Sequence, residues 1–155
     1  MLLSMEKALQ LEPENVQAMN YIAFSLAEMN QQLEKAEKLA REAALKEKND
    51  GFILDTLGWV LFKKGNYQEA MHVLEKAHEI QPTVGIIAEH LGDVYSKLKN
   101  LSKAQALFQK ANDLEIDQVH KKEIEGKLAS VEQNLKNQNR KPASTDADSK
   151  SGESP

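Results

Sequence analysis

One apolar pattern returns at a nearly fixed interval along this chain, and that recurrence limits the available folds more than any other feature. Between Gly51 and Val84, the residues Leu54, Leu57, Gly58 and Leu61 stand at helical spacing, followed by Ala70, Leu74 and Ala77 and then by Pro82. Two apolar stripes with a period of about 3.6, divided by Lys64-Gly65-Asn66, predict two short amphipathic helices joined by a tight turn. The spacing returns 34 residues later as Ala88, Leu91, Gly92 and Tyr95, then Ala104, Phe108 and Ala111. It also occurs 35 residues earlier as Met19, Ile22, Ala23 and Leu26; the second half there, Ala36, Ala40 and Ala43, is displaced by one extra residue in the turn. A single helix pair of this length leaves its apolar face open. The repetition therefore predicts an all-α solenoid in which each pair is covered by the next.

The flanks are read in the same frame. Met1, Met5 and Ala8 fall on second-helix positions and Pro13 on the closing proline, which predicts a half-repeat over residues 1–15 that lacks its first helix. Such an end leaves one face of the stack open to a preceding segment, to a partner or to fraying; a plain N-terminal capping helix fits the same residues. Full repeats are expected over residues 16–50, 51–84 and 85–116. Asn15, Asn66 with Glu69, Thr83, and Ser102 with Gln105 are the expected helix caps. The polar side of the helix around Glu34 to Glu42 reads as a solvated face with alternating charges. From Asp117, the residues Val119, Ile124, Leu128, Val131 and Leu135 recur among charged residues and predict a capping helix over 117–137. A helix of that length also has the reach to leave the stack and pair with another molecule. Residues 138–155 contain no large apolar side chain and read as a disordered tail.

Composition removes several functions. A net charge of −4 provides no basic field for nucleic acid, and the basic residues Lys121, Lys122, Lys127, Lys136, Arg140 and Lys141 are interrupted by Glu123, Glu125 and Glu132. The absence of cysteine excludes disulfides and thiolate zinc sites. His90 lies between Glu89 and Asp93 but lacks a third ligand at metal-binding spacing, and Glu89 with Asp93 reads as a solvated pair on one helix turn rather than an acid–base couple. His72 and His78 point to different faces of one helix. Glycines are scattered rather than gathered into a phosphate loop, and Gly58 and Gly92 read as close helix crossings. No catalytic residue, metal or cofactor is expected. No apolar run is long enough for a membrane span, and Glu6 interrupts the opening where a signal peptide needs an apolar core. The reading is cytoplasmic, unless the chain is a fragment of a longer exported protein.

Gly58 or Gly92 directly after Leu57 or Leu91, alanines at the two close crossings, and Pro82 after the second helix resemble the tetratricopeptide repeat. The resemblance covers roughly residues 1–115, with two departures: Ala23 in place of glycine and Ile116 in place of proline. The stretches NYIAFSLAE, LDTLGWVLFKKGNYQEA and AEHLGDVYSKL are similar to the last repeats of larger bacterial proteins of this family. The resemblance implies a right-handed superhelix whose first helices line a concave groove, with the second, fifth, ninth, twelfth and thirteenth positions of each repeat facing it. Those residues are Gln17, Asn20, Phe24, Ala27 and Glu28; Phe52, Asp55, Trp59, Phe62 and Lys63; and Ile86, Glu89, Asp93, Ser96 and Lys97. Phe52, Trp59 and Phe62 on one helix describe either the aromatic anchors of a protein interface or, for Trp59 and Phe62, packing between repeats. Family members that grip a C-terminal carboxylate use lysine and asparagine at matching positions. Here the fifth positions are Asn20, Asp55 and Glu89 and the ninth are Phe24, Trp59 and Asp93, so that clamp is missing. Four groove acids against two lysines favour a ligand with apolar anchors and some positive charge. The functional expectation is a noncatalytic scaffold that binds another protein or peptide in the groove. The alternative is a structural protein that self-associates into a homo-oligomer through its terminal helices.

Overall fold

The computed structural model describes residues 1–140, which form eight α-helices and no strand. They are α1 (Leu2–Leu11), α2 (Val16–Glu28), α3 (Leu33–Lys46), α4 (Gly51–Lys63), α5 (Tyr67–Ile80), α6 (Gly85–Lys97), α7 (Leu101–Leu114) and α8 (Gln118–Arg140). Helices α2/α3, α4/α5 and α6/α7 pack as antiparallel pairs. Each second helix also packs against the next first helix: α3 on α4, α5 on α6 and α7 on α8. The result is a right-handed solenoid with α1 against α2 at one end and α8 at the other. Helix α8 continues to Arg140, three residues into the stretch read as tail, because no breaker precedes Pro142. The remainder of that expected tail, 141–155, lies outside the described residues.

The pairs close tightly because one helix presents no side chain where the other presents a large one. A Cβ on Gly58 would lie 2.4 Å from Leu74 Cγ, and one on Gly92 would lie 2.7 Å from Phe108 Cε1. Leu74 and Phe108 are themselves buried, as are Ala70, Ala77, Ala104 and Ala111 beside them. In the first pair Ala23 takes the place of the glycine and Ala40 that of the large residue. Both are buried, so the crossing is small against small.

Helix ends follow the sequence in part. Asn15 Oδ1 accepts from the Ala18 N–H at 2.9 Å, and Asp50 Oδ1 accepts from Phe52 and Ile53. Three expected caps do not form. Asn66 makes no side-chain cap bond, and its supposed partner Glu69 is taken by Arg41 across the repeat boundary. The residue before α6 is Val84 rather than Thr83, and α7 starts after Asn100, whose side chain accepts from Lys103 N–H while Ser102 lies inside the helix. The turns use left-handed backbone at Asn30, Gly65 and Lys99. The charged side of α3 is more than a solvated face. Arg41 pairs with Glu37 and Glu69, and Lys64 pairs with Glu34 and Glu37, tying α3 to the α4–α5 hairpin. The Lys64 ammonium, with Arg41, holds the Glu37 carboxyl below its usual range even though burial opposes this.

The same substitution should have opposite effects at two helical glycines. Gly58→Ala forces Leu74 to shift, a cost of about 1–3 kcal/mol only partly offset by the ~1 kcal/mol that alanine gains in a helix. Gly126→Ala in α8, where a Cβ meets nothing within 4 Å, should instead stabilise by up to ~1 kcal/mol. Urea denaturation of both variants gives the signs.

Candidate protein-binding groove

The first helices α2, α4 and α6 lie side by side, and polar side chains join each to the next. Asp55 on α4 and His90 on α6 are both buried, with His90 Nδ1 donating to the Asp55 carboxylate at 2.9 and 3.1 Å. A carboxylate accepts only, so the proton is on Nδ1. Trp59 stacks on the His90 ring at a centroid distance of 4.0 Å and on Phe62 at 4.9 Å, and its Nε1 donates to Glu28 on α2 at 2.7 Å. Lys63 Nζ sits 4.7 Å from the centre of the indole ring. The run from Glu28 through Trp59 and His90 to Asp55 therefore crosses three helices.

Helix α8 supplies the next link. Lys127 Nζ donates to Glu89 Oε1 and Asp93 Oδ2, each at 2.6 Å. His120 has Nε2 at 2.8 Å from Glu89 Oε2 and Nδ1 at 2.7 Å from Glu115 Oε2. Both ring nitrogens face carboxylates and must donate, which selects the imidazolium. Burial opposes that charge, but Glu89 and then Glu115 outweigh it and raise the His120 pKa. Lys127 is likewise raised against its own burial, first by Asp93 and then by Glu89. Burial pushes the Asp93 carboxyl up despite Lys127 beside it. The Glu115 carboxyl is lowered, foremost by the Asp117 backbone N–H.

These contacts correct several expectations. Asp55, Trp59 and Glu89 are buried between helices and are not open groove positions, and Asp93 is engaged by Lys127. With Asp55 against His90 and both α6 acids against Lys127, the acidic groove and the resulting preference for a positively charged ligand fall away. The reading of Glu89 and Asp93 as a solvated pair is replaced by a clamped one. Left facing outward are Gln17, Glu28 and Lys97, fully exposed, with half-buried Asn20, Phe24, Phe62, Lys63, Ile86 and Ser96. Phe52 stands out at 49% exposure, while Ala27 is buried. Sequence reasoning missed His90 as a link, and it missed Lys127, His120 and Glu115 altogether. A signal was present: Lys127 follows Asp93 by 34 residues, which makes α8 another first helix in register. Among the described residues no group of three or more histidine or carboxylate side chains is placed to hold a metal ion, and no helix is long and apolar enough to cross a membrane.

A stack of helix pairs with glycine-seated crossings and a concave row of first helices defines a repeat-type interaction fold. Comparison with known families matches the tetratricopeptide repeat at residues 51–84 and again at 88–115. The chain is a tetratricopeptide-repeat protein. A TPR repeat-containing protein of Pseudomonas aeruginosa is 31% identical over 96 residues, covering 59% of this chain; the chain spans only 16% of that relative's length. Among solved structures, a thermophilic TPR protein of Thermus thermophilus superposes with a TM-score of 0.74 at 21% identity, covering 86% of this chain and 72% of that one. The type III secretion translocator chaperone SycD of Yersinia enterocolitica gives 0.70 at 14% identity, covering 81% and 88%. SycD in complex with a peptide of the translocator YopD gives 0.67 at 17% identity, covering 80% and 94%.

Two stability measurements test the α8 link. The raised pKa of His120 means that its contribution is complete below the ordinary histidine value of 6.5 and is lost as pH rises through the higher folded value. The melting-temperature gap between native chain and His120→Gln should thus be widest in mild acid and close toward alkaline pH. Lys127→Met leaves two carboxylates without their cation and should cost about 1–3 kcal/mol at neutral pH by denaturant titration. That cost should shrink at pH 4, where the carboxylates take up protons.

Proposed function

We propose that this chain is a noncatalytic protein-binding module that holds a peptide or protein segment along the outer edge of its first helices. The observation that carries the reading is Phe52, a half-exposed aromatic ring at the second position of α4, with Ile86 at the same register on α6 and Phe24 and Phe62 farther along the row. Exposed aromatic groups set among Gln17, Lys63 and Lys97 have the composition of an interface centre with a polar rim. The fold shared with a chaperone solved in complex with a peptide supports the same use of this one. The buried Asp55–His90 pair serves as a strut: it lies under the Trp59 ring, where a substrate has no approach.

The ligand favoured by these residues is a segment with apolar anchors, without the requirement for positive charge that the sequence implied. Selection of a displayed peptide library on the native chain tests this. Peptides so obtained should lose at least ~10-fold in affinity for a Phe52→Glu, Ile86→Lys variant whose helicity and melting temperature are unchanged, a factor equal to about 1.4 kcal/mol. Equal binding by both chains would remove the groove from the function.

A further inference from the structure

The two ends of the solenoid are complementary halves of one repeat. Gly126 follows Gly92 by 34 residues, as Gly92 follows Gly58. Helix α8 packs on α7 as α4 does on α3 and α6 on α5, so it is the first helix of a fourth repeat. In α4 the residues Leu54, Leu57, Gly58 and Leu61 are buried under a second helix, and α6 repeats the arrangement. The matching residues of α8 are Lys122, Glu125, Gly126 and Ala129, and all four are exposed. Helix α1 has the opposite deficit. Met1, Met5 and Ala8 hold the places where Ala70, Leu74 and Ala77 are fully buried, yet Met1 is 81% exposed and the other two are only half-buried.

We propose that a second copy of this chain docks head to tail, with α1 of one copy lying on α8 of the other and Met5 seated over Gly126. That contact would repeat the internal ones, in which Leu74 covers Gly58 and Phe108 covers Gly92. The occupant is chosen by continuity: α1 is the one second helix of the chain without its own first helix, and α8 the one first helix without a second, among the described residues. Charge agrees. Residues 1–15 carry three glutamates against one lysine, whereas 118–140 carry five lysines and arginines against three glutamates. Because the two faces differ, the contact is heterologous and leaves a free face at each end for further addition. Lys122 and Glu125 make the seat more polar than its internal counterparts, so the association is reversible. The inference stands apart from the groove reading, since Phe52 belongs to neither face.

Sedimentation velocity of the full 155-residue chain over a wide concentration range tests it. The native chain should show an average mass that climbs with concentration past that of a dimer. Gly126→Leu fills the seat without touching anything in the single chain, and Met5→Glu blocks the other face; each should sediment as a monomer. Mixed in equal amounts they retain one working face each, so the mixture should stop at a dimer. Glutamate at Met5 also disturbs the packing of α1 on α2, so Gly126→Leu is the deciding variant. In a chain without cysteine, Met5→Cys on one copy and Gly126→Cys on another should form a mixed disulfide, and Leu3→Cys in place of Met5→Cys should not. A native chain that stays monomeric leaves both faces to some other polypeptide and overturns the proposal. So does a Gly126→Leu chain that associates like the native one, a mixture that restores no dimer, or cross-linking indifferent to the cysteine position.

Discussion

Everything in this solenoid depends on how closely two helices of a pair approach, and one missing Cβ sets that distance. At Gly58 and Gly92 the backbone of the first helix lies almost against the side chain of Leu74 or Phe108. A wider crossing would lift the alanines at the flanking positions out of contact, since their methyl groups are too short to fill the gap. The first pair reaches the same closeness with Ala23 against Ala40, exchanging size between partners. Close pairs in turn set the spacing at which the next pair lies down, so the superhelical path is a sum of these local contacts.

The interior of the groove is governed by a second constraint, the cost of burying charge. Neighbouring first helices lie near enough that their fifth and ninth positions face each other rather than solvent, and acids there require partners. His90 meets Asp55, and α8 brings Lys127 and His120 to Glu89 and Asp93. The consequence is functional: charges that look available to a ligand are consumed within the protein, and recognition passes to the aromatic and apolar groups at the outer edge. Helix α8 is therefore more than a lid on the last repeat. It completes the electrostatics of α6 while leaving its own far face unclosed.

Much of the architecture was legible from spacing. The 34-residue recurrence, the paired stripes and Pro82 suffice to predict the helices and their pairing, because each repeat meets the same local requirement. Capping was less legible. Glu69 sits at the correct spacing to serve Asn66 yet bonds to Arg41, since a cross-helix guanidinium offers a stronger, charge-assisted contact. The candidate groove was legible in position but not in exposure. The register assigns Asp55, Trp59 and Glu89 to the concave row, and only the approach of the adjacent helix shows that they are covered. Lys127 carried a readable signal in its spacing from Asp93, but a long polar helix with a weak apolar stripe obscures that register.

Sequence alone determined the all-α repeat, its period and the places where helices cross, because glycine and alanine at fixed spacing have no other economical use in a helix. It also placed Phe52 on the groove side. The tertiary structure decided which of the charged and aromatic residues remain open. That depends on partners 31 to 38 residues away, as in the Glu28–Trp59 and Glu89–Lys127 links, and local periodicity cannot weigh such contacts against solvent. It likewise decided that the two ends are unlike halves of one motif, since the same pattern is buried in the interior and exposed at its limits.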